Sequence, residues 1–327
     1  MTATAPASPS AVARPEGARQ WLLPAYTADV SVVIVNYNAR GMLERTLETL
    51  FDSNPRCSMD VIVVDNASRD GSVEMVRSRF PQVRCVANEH NAGGTYGNNQ
   101  GMEMATGRYL FLLNNDTIIF PGAVDTLVAY LDAHPNVGGV GPKVLNIDGT
   151  IQGTVKRFPT PMAAVFGRYS VLTRWLPRNA FSRRYLVYLD QDFSAPFAAG
   201  SVSSCALVVR REAVDRAGPM DPRYFVYWND VDWCRAIWEA GCEIHLNPEA
   251  VIIHDEHKGG TRAGRKRSLA MIVDFHHGAY VYYRKWHVRK PWHPNHLAAI
   301  VGLTLRAALV VVSEQVRWAL RPKKRTA

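Results

Sequence analysis

Asparagine and aspartate residues follow apolar runs in the first part of the chain. The runs cover residues 30–35, 60–64 and 109–113, and each predicts a buried strand. The polar residues placed at or after predicted strand ends are Asn36, Asn38, Asp65, Asn66, Asn91 and Asp116. Because ligands of open α/β sheets lie at the carboxyl ends of the strands, we expect these side chains to share one site. Asp116 is placed to hold Mg²⁺ or Mn²⁺ on a diphosphate, or alternatively to cap the next loop.

A second candidate is the acidic pair Asp230 and Asp232, which lies at the start of a predicted helix. Residues at i and i+2 point to different sides of a helix, so the two carboxylates do not form a dyad. One could cap the helix while the other does acid–base work. A base must reach its substrate from the helix start, which favours Asp230, whereas Asp232 is expected to favour the helix dipole or to pair with Arg235. Nearby aromatic residues could line a pocket or belong to the core: Tyr224, Phe225, Tyr227, Trp228 and Trp233.

Two histidines follow a late apolar run and could bind a metal ion. His254 is preferred to His257 because it ends the predicted strand and is more firmly placed. The alternative for His254 is a hydrogen-bonded core histidine. The basic segment 258–267 could close over phosphates, or could be an ordinary solvated loop.

The elements that must position these residues alternate between strand and helix. Four alternations within residues 30–131 predict an α/β fold with a mostly parallel sheet flanked by helices. Neither a G-x-G-x-x-G after the first strand nor a G-x-x-x-x-G-K-[ST] occurs, which excludes the dinucleotide fingerprint and the P-loop. Later elements are predicted as strands at 206–209 and 251–253, a helix at 230–240 and two closing helices.

The chain is expected to have three parts. Residues 1–28 lack the apolar stretch of an export signal and are predicted to be a disordered N-terminal segment. Residues 29–267 form the main domain, within which residues 160–189 are treated as an insertion or flexible loop. Residues 268–327 form a basic, helical C-terminal extension.

The amino-acid composition excludes several classes of protein and indicates what kind of partner the chain binds. Of 327 residues, 47% are hydrophobic and 20% are charged, which excludes collagen, coiled-coil and wholly disordered classes. Lys and Arg number 38 and Asp and Glu 29, so the net charge is 38 − 29 = +9, which suits nucleic acid, a nucleoside diphosphate or an anionic membrane. Five scattered cysteines without a C-x-x-C favour a reducing compartment over a disulfide framework or zinc ribbon.

The C-terminal extension contains an apolar stretch at residues 297–312, interrupted by Thr304 and Arg306 and flanked by basic residues. It is shorter than the ~20 residues of a spanning helix. We therefore expect contact with an anionic membrane surface without crossing, with packing on the main domain or on a partner as the alternative.

A series of short motifs, taken in order, carries a resemblance to a known family. They are Asn36-Tyr37-Asn38, Asp65-Asn66-Ala67-Ser68, Asn91-Ala92-Gly93, Asn98-Asn99-Gln100-Gly101, Asn114-Asn115-Asp116, Gly141-Pro142-Lys143, Arg157-Phe158-Pro159-Thr160 and Asn229-Asp230-Val231-Asp232-Trp233-Cys234. The ordered set resembles the inverting family 2 glycosyltransferases of the GT-A fold over roughly residues 30–260, with bounds accurate to a few residues. It is most similar to their bacterial rhamnosyltransferase-like branch.

The resemblance implies roles for individual residues. Asp65 would accept the N3–H of uracil or thymine, Asp116 would be the surviving carboxylate of the metal-binding D-x-D, and Asp230 would be the general base. His254 would be a second ligand of Mg²⁺ or Mn²⁺. The residues expected to bind the nucleotide sugar are Asn36, Asn38, Asp65, Asn91, Gly93, Asn99 and Asn115.

The sequence departs from the family pattern at three positions. Asn114 replaces the first Asp of D-x-D and predicts weaker metal binding or binding through Asp116 alone. Gly94 stands where an aromatic residue is common, and Asn229 where an acid often precedes the base.

The resemblance implies transfer of a sugar, by a single displacement with inversion, in cell-surface polysaccharide synthesis. The expected donor is dTDP-L-rhamnose and the expected acceptor is a glycan or a polyprenyl-linked saccharide. The expected location is cytoplasmic, with peripheral contact at the inner face of the membrane. Alternatives are a UDP-sugar donor (UDP-GlcNAc or UDP-Gal), or a nucleotide-sugar-binding protein without catalysis, which would be expected to lack Asp116 or Asp230. No nucleic-acid-binding motif is present, and the basic residues are not ordered on one stripe.

Overall fold

The computed structural model describes residues 26–160, 187, 191–255, 268–288, 290 and 292–319. The predictions for residues 1–25, for most of 160–189 and for the basic segment 258–267 with His257 lie outside these residues. The strands are β1 (Ala28–Asn36), β2 (Met59–Asp65), β3 (Arg84–Ala87), β4 (Gly107–Asn114), β5 (Thr117–Ile119), β6 (Val137–Leu145), β7 (Val155–Lys156), β8 (Phe197–Ala198), β9 (Ser201–Val202), β10 (Ala206–Arg210) and β11 (Glu243–His254). The helices are α1 (Arg40–Asp52), α2 (Ser72–Arg79), α3 (Gly94–Met104), α4 (Ala123–Ala133), α5 (Arg211–Ala217), α6 (Asn229–Glu239), α7 (Leu269–Trp286) and α8 (Pro294–Ala319).

A mixed sheet with the order β3-β2-β1-β4-β10-β6-β11-β5 forms the centre of the molecule. The β1 strand pairs in parallel with β2 and β4, and the β2 strand pairs in parallel with β3. The β10 strand is antiparallel to both β4 and β6, and the β11 strand is parallel to β6. The prediction of a mostly parallel sheet flanked by helices is confirmed.

The β1 strand lies between helices on both faces, which explains its continuous run of β-branched residues. On one face, α1 buries Leu43, Leu47 and Leu50 against the sheet. On the other face, a Cβ on Gly97 would lie 2.8 Å from the Val35 side chain. This close approach brings the N-terminus of α3 to the strand ends that carry the polar residues.

Several parts of the sheet were not predicted from the sequence, among them the short strands β5 and β8, the whole of β6 and the first half of β11. The β6 strand contains two adjacent glycines and a Gly-Pro pair, which normally indicate turns. A Cβ on Gly138 would lie 2.6 Å from the Cβ of Cys242. Glycine is therefore required at this position of β6 by close packing against neighbouring residues, and not by a turn. The β11 strand begins at Glu243 rather than at the predicted residue 251, and its pairing register shifts between Asn247 and Val251.

Two helices close the described part of the chain, as predicted. Within α8, residues Pro294–Val316 have a mean hydropathy of 1.9 and are long and apolar enough, by length and composition alone, to cross a membrane. The apolar helix is therefore longer than the predicted stretch 297–312, and contact with a membrane surface without crossing stays a prediction. Arg306, which interrupts the apolar stretch, lies over the ring of Phe275 at 5.6 Å, so its charge faces α7.

Candidate functional site

The ends of β1, β2 and β4 carry a buried network of amides and a carboxylate. Asn36 Nδ2 donates to Asp65 Oδ2 at 2.8 Å and to Ser68 Oγ at 3.2 Å. Asn115 Nδ2 donates to Asn36 Oδ1 at 2.7 Å, which joins the third strand end to the first. Asp65 is 1% exposed, and its Oδ1 accepts the Ser68 N–H at 2.7 Å. Carboxylate oxygens have about four acceptor sites in total, so Asp65 retains the capacity to accept another donor.

Asn38 supports the wall of this network. Its backbone is left-handed, with φ 48°, a conformation that asparagine tolerates better than most residues. Its Oδ1 accepts the Arg69 N–H at 2.8 Å, and its own N–H donates to Ser68 Oγ at 2.8 Å. The Asn38 side chain therefore fixes the loop after β2.

The loop before α3 has a backbone conformation at Gly93 that favours glycine, and it packs against Phe225, which is distant in the sequence. Gly93 has φ 91°, accepts from Asn66 Nδ2 at 3.1 Å and donates to Asn91 Oδ1 at 2.9 Å. A Cβ on Gly93 would lie 2.5 Å from the Phe225 ring. Thr95 N–H also donates to Phe225 O at 3.2 Å, so Phe225 supplies an aromatic contact next to the departure at Gly94.

Asn99 does not join this cluster. Its side-chain Nδ2 donates to Met220 O at 2.8 Å, and its Oδ1 accepts the Met220 N–H at 3.0 Å. Met220 Sδ lies 3.9 Å from Asn229 Nδ2 at the start of α6. The Asn99 amide ties α3 to the segment before α6, and its predicted contact with the ligand stays a prediction.

A second polar cluster lies where β4 and β11 end. The pairing of His254 with Thr117 brings His254 beside Asp116, and the two side chains are both buried. His254 Nε2 lies 3.1 Å from Asp116 Oδ1 and 3.1 Å from Asn114 Nδ2. Within the described part of the chain, Asp116 Oδ1 has no hydrogen-bond partner, because its approach to the imidazole lacks hydrogen-bonding geometry.

Gln152 orients the imidazole and was missed by the sequence analysis. Its Oε1 lies 2.7 Å from His254 Nδ1, and its Nε2 donates to His254 O at 3.2 Å. This pairing assigns the proton to Nδ1 and leaves the lone pair of Nε2 facing Asn114 and Asp116. No sequence pattern indicates Gln152, since it stands alone between a turn and β7.

This cluster fits a divalent cation. An unpaired buried carboxylate oxygen and an imidazole lone pair 3.1 Å apart are two acceptors without a shared proton. Ligand atoms bound at about 2.1 Å to one octahedral ion stand about 3 Å apart. No group of three or more His, Cys, Asp or Glu side chains occurs among the described residues, so diphosphate and water would complete the shell around Asp116 and His254.

Asp230 lies half-buried in the first turn of α6. The helix begins after Trp228, whose backbone is left-handed with φ 74° and whose side chain makes no capping hydrogen bond. Asp230 Oδ1 accepts the Val231 N–H at 2.8 Å, and Asn229 Oδ1 accepts the Asp230 N–H at 2.8 Å. One of the two acids, Asp230, therefore accepts a free N–H group of the first helical turn, although the residue at the N-cap position is Trp228.

Asp232 is fully enclosed and has other partners than predicted. It is 1% exposed and accepts from Lys285 Nζ at 2.7 Å, Trp286 Nε1 at 2.7 Å and the Tyr224 hydroxyl at 3.1 Å. Asp232 does not pair with Arg235, because both side chains contact residues of α7 instead. Burial and the neighbouring Asp232 raise the pKa of Tyr224, which keeps its hydroxyl a donor. Asp232 is therefore closed off from solvent, whereas Asp230 is only half-buried.

The described side chains thus form a polar edge at the ends of β1, β2 and β4, a buried pair of Asp116 and His254, and a separate half-buried carboxylate at Asp230. In comparisons with known proteins, an N-acetylglucosaminyl-diphospho-decaprenol L-rhamnosyltransferase of Mycobacterium tuberculosis is 29% identical over 276 residues, covering 79% of this chain and 88% of that relative.

Solved structures have the same fold. A mannosyltransferase of Pyrobaculum calidifontis, solved with GDP-Man and Mn²⁺, has a TM-score of 0.55 at 19% identity and covers 94% of this chain and 80% of its own. GalNAc-T7, solved with UDP, GalNAc and Mn²⁺, has a TM-score of 0.52 at 17% identity and covers 70% of this chain and 43% of its own. The sequence model of the family described as glycosyl transferase family 2 matches residues 31–215, which is more than half of the chain. The chain belongs to glycosyl transferase family 2 and is an enzyme of the GT-A fold.

Proposed function

We propose that this enzyme transfers L-rhamnose from dTDP-L-rhamnose to a saccharide linked to a polyprenyl diphosphate, with inversion at the anomeric carbon. The observation that carries this proposal is the alignment with the decaprenol-linked rhamnosyltransferase, which extends over 88% of that relative. A match of that extent includes α6 and the segment before it, where the acceptor would bind.

The donor would lie along the edge formed by the ends of β1, β2 and β4. Asp65 would accept the N3–H of the base, supported by Asn36 and Asn115. The diphosphate would lie by Asp116 and His254. Thymine and uracil both present this N3–H, so a UDP-sugar is the competing donor.

The reaction would be a single displacement in which Asp230 takes the proton of the acceptor hydroxyl. The hydroxyl oxygen attacks the anomeric carbon opposite the departing nucleoside diphosphate, so the configuration inverts. A bound divalent cation would neutralise charge on the leaving diphosphate. Asp116 and His254 would hold that ion, and Asp230 would contribute the ~10²–10⁴-fold effect typical of a general base.

Donor, acceptor and stereochemistry can be tested together. Purified enzyme with Mn²⁺ is given dTDP-L-rhamnose, UDP-GlcNAc or UDP-Gal and a polyprenyl-diphosphate-linked GlcNAc acceptor. We expect dTDP release that depends on the acceptor, and a product whose anomeric configuration by NMR is opposite to that of the donor. Turnover of only a UDP-sugar would overturn the donor assignment, and retention of configuration would overturn the mechanism.

Asp230→Asn separates catalysis from binding. We expect transfer to fall at least ~10²-fold while dTDP still raises the melting temperature by mass action. Glu239→Gln removes one exposed charge from the other end of the same helix and is the matched control. Donor binding without acceptor-dependent dTDP release in the wild type would instead favour a nucleotide-sugar-binding protein without catalysis.

The acceptor's lipid would be reached from the membrane surface, on the cytoplasmic side. One face of α8 carries exposed apolar residues, which are Leu297, Val301, Leu305, Leu309, Val312 and Val316. Arg306 is turned to α7, and basic residues follow the helix in the sequence. An apolar stripe beside basic charge is typical of helices that bind anionic lipid interfaces.

Vesicle flotation tests this location. We expect the protein to float with anionic vesicles at low salt and to be released by alkaline carbonate, as a peripheral protein is. Leu305 and Leu309 are 60% and 71% exposed, so Leu305→Glu with Leu309→Glu should abolish flotation without lowering the melting temperature. Wild-type protein that stays in solution would contradict membrane contact.

A further inference from the structure

The helix that carries Asp230 is joined to α7 by an ion pair between the buried Asp232 carboxylate and Lys285, whose side chain is 28% exposed. Asp232, in the first turn of α6, accepts hydrogen bonds from Lys285 Nζ and from Trp286 Nε1, each at 2.7 Å. The Lys285 ammonium also lies 3.3 Å from Asp221, which precedes α6. Lys285 therefore binds α6 and the segment that leads into it at the same time.

Arg235 extends this contact by one turn. Its guanidinium lies 4.7 Å from the Trp286 ring centre and 5.8 Å from that of Tyr282, whose hydroxyl it also reaches at 3.1 Å. Trp286 thus contacts two charged residues of α6, since its indole N–H donates to Asp232 and its ring face lies against Arg235. A buried charge left without its partner is strongly destabilising, so this contact tolerates little displacement of α6.

The α7 helix also holds the backbone immediately before α6. Tyr227 N–H donates to Asp274 Oδ2 at 3.1 Å. A Cβ on Gly278 would lie 2.8 Å from the Trp228 side chain, so α7 packs directly on the left-handed residue that begins α6. Because a tryptophan in this conformation is strained, surrounding packing must maintain it.

We propose that α7 is a positioning element of the catalytic centre, in which Lys285 and Trp286 hold the first turn of α6 in the place from which Asp230 takes its proton. The proposal rests on the proposed role of Asp230. It assigns function to a helix that follows the part of the chain matched by the family, residues 31–215. Lys285 and Trp286 do not touch the reacting atoms; they act through Asp232. A misplacement of about 1 Å can cost about 10²-fold in rate.

Lys285→Met tests the proposal, with Lys285→Arg as the conservative variant. Arg284→Met is the matched control, because the adjacent Arg284 bonds to Val288 O at 2.8 Å and its removal changes the net charge equally. We expect Lys285→Met to lower kcat about 10²-fold with the KM for donor and the dTDP affinity within about threefold of wild type. Lys285→Arg should recover at least tenfold of that loss, and Arg284→Met should stay within twofold of wild type.

Hydrogen exchange supplies a readout that does not depend on turnover. Amides in the first turn of α6 should exchange faster in Lys285→Met, while those of β1 and β4 remain protected. Wild-type kcat in folded Lys285→Met, or a parallel loss of kcat and dTDP affinity, would overturn the proposal. If Lys285→Met does not fold, Trp286→Phe removes one donor to Asp232, keeps a ring against Arg235 and should show the same pattern to a smaller extent. If the wild type transfers no sugar, the proposed function fails, and unchanged α6 exchange would separately refute the α7 contact.

Discussion

Replacing Gln152 by Met should weaken binding of the divalent cation without removing either ligand. Methionine has nearly the same length as glutamine and is flexible, so the buried space stays filled. The change removes the hydrogen bonds at His254 Nδ1 and His254 O, which measure 2.7 and 3.2 Å. The imidazole can then rotate, or take the tautomer in which Nε2 carries the proton and cannot bind metal.

The size of the effect follows from those two contacts. At roughly 1 kcal/mol for each hydrogen bond, the bound orientation of His254 loses about 2 kcal/mol. That corresponds to about a 30-fold weaker Mn²⁺ affinity, inside the 10–100-fold range for partners of metal-binding histidines.

Electron paramagnetic resonance of free Mn²⁺, titrated in the presence of dTDP, measures this affinity directly. Gln191→Met is the control, because Gln191 is exposed and bonds only to neighbouring backbone among the described residues. His254→Ala should weaken Mn²⁺ at least as much as Gln152→Met. An unchanged Mn²⁺ affinity in folded Gln152→Met would refute the argument that Gln152 prepares His254 as a ligand.

Two further predictions concern stability. Gly93→Ala should weaken dTDP binding and destabilise the fold by at least ~1 kcal/mol more than Gly122→Ala, as measured by urea unfolding. Both glycines have positive φ, but only Gly93 has the Phe225 ring within 2.5 Å of the new Cβ, and equal costs would contradict this account. Burial acts to raise the pKa of Asp221, but hydrogen bonds from Arg223 outweigh it and lower the pKa from 3.8 to about 2. Asp221 therefore stabilises the fold above about pH 4 by roughly 2 kcal/mol, and this is lost as the pH falls through about 2. The stability gap between wild type and Asp221→Asn should narrow over that range, and a gap that does not change with pH would refute the assignment.

The first half of the sheet could be predicted because its strands are buried on both faces. Parallel strands between two helix layers are mostly apolar, as in Val32–Val35 of β1, and a cluster of polar residues follows where each strand ends. Asn36, Asp65 and Asp116 could therefore be located from the sequence. The β6 strand could not, because its glycines serve close packing and look like turn residues.

The contacts around Asp232 show a different limit of sequence reasoning. Helical spacing gives the neighbours within one helix, and from it Arg235 was the natural partner. The actual partners, Lys285 and Trp286, are 53 and 54 residues away and are set by how α7 packs. The same holds for Gln152 and His254, which are 102 residues apart.

The division of the site between two stretches of chain has an evolutionary consequence. The edge proposed to bind the nucleotide comes from residues before 117, whereas Asp230 and its supports come from residues after 220. The two stretches meet in the hydrogen bonds that link Asn99 to Met220 and Thr95 to Phe225. Under the proposed function, mutations in the later stretch that spare Phe225 and His254 would change which hydroxyl is accepted while the donor site is kept. A lineage with such an architecture can diversify its glycan products from a single activated sugar.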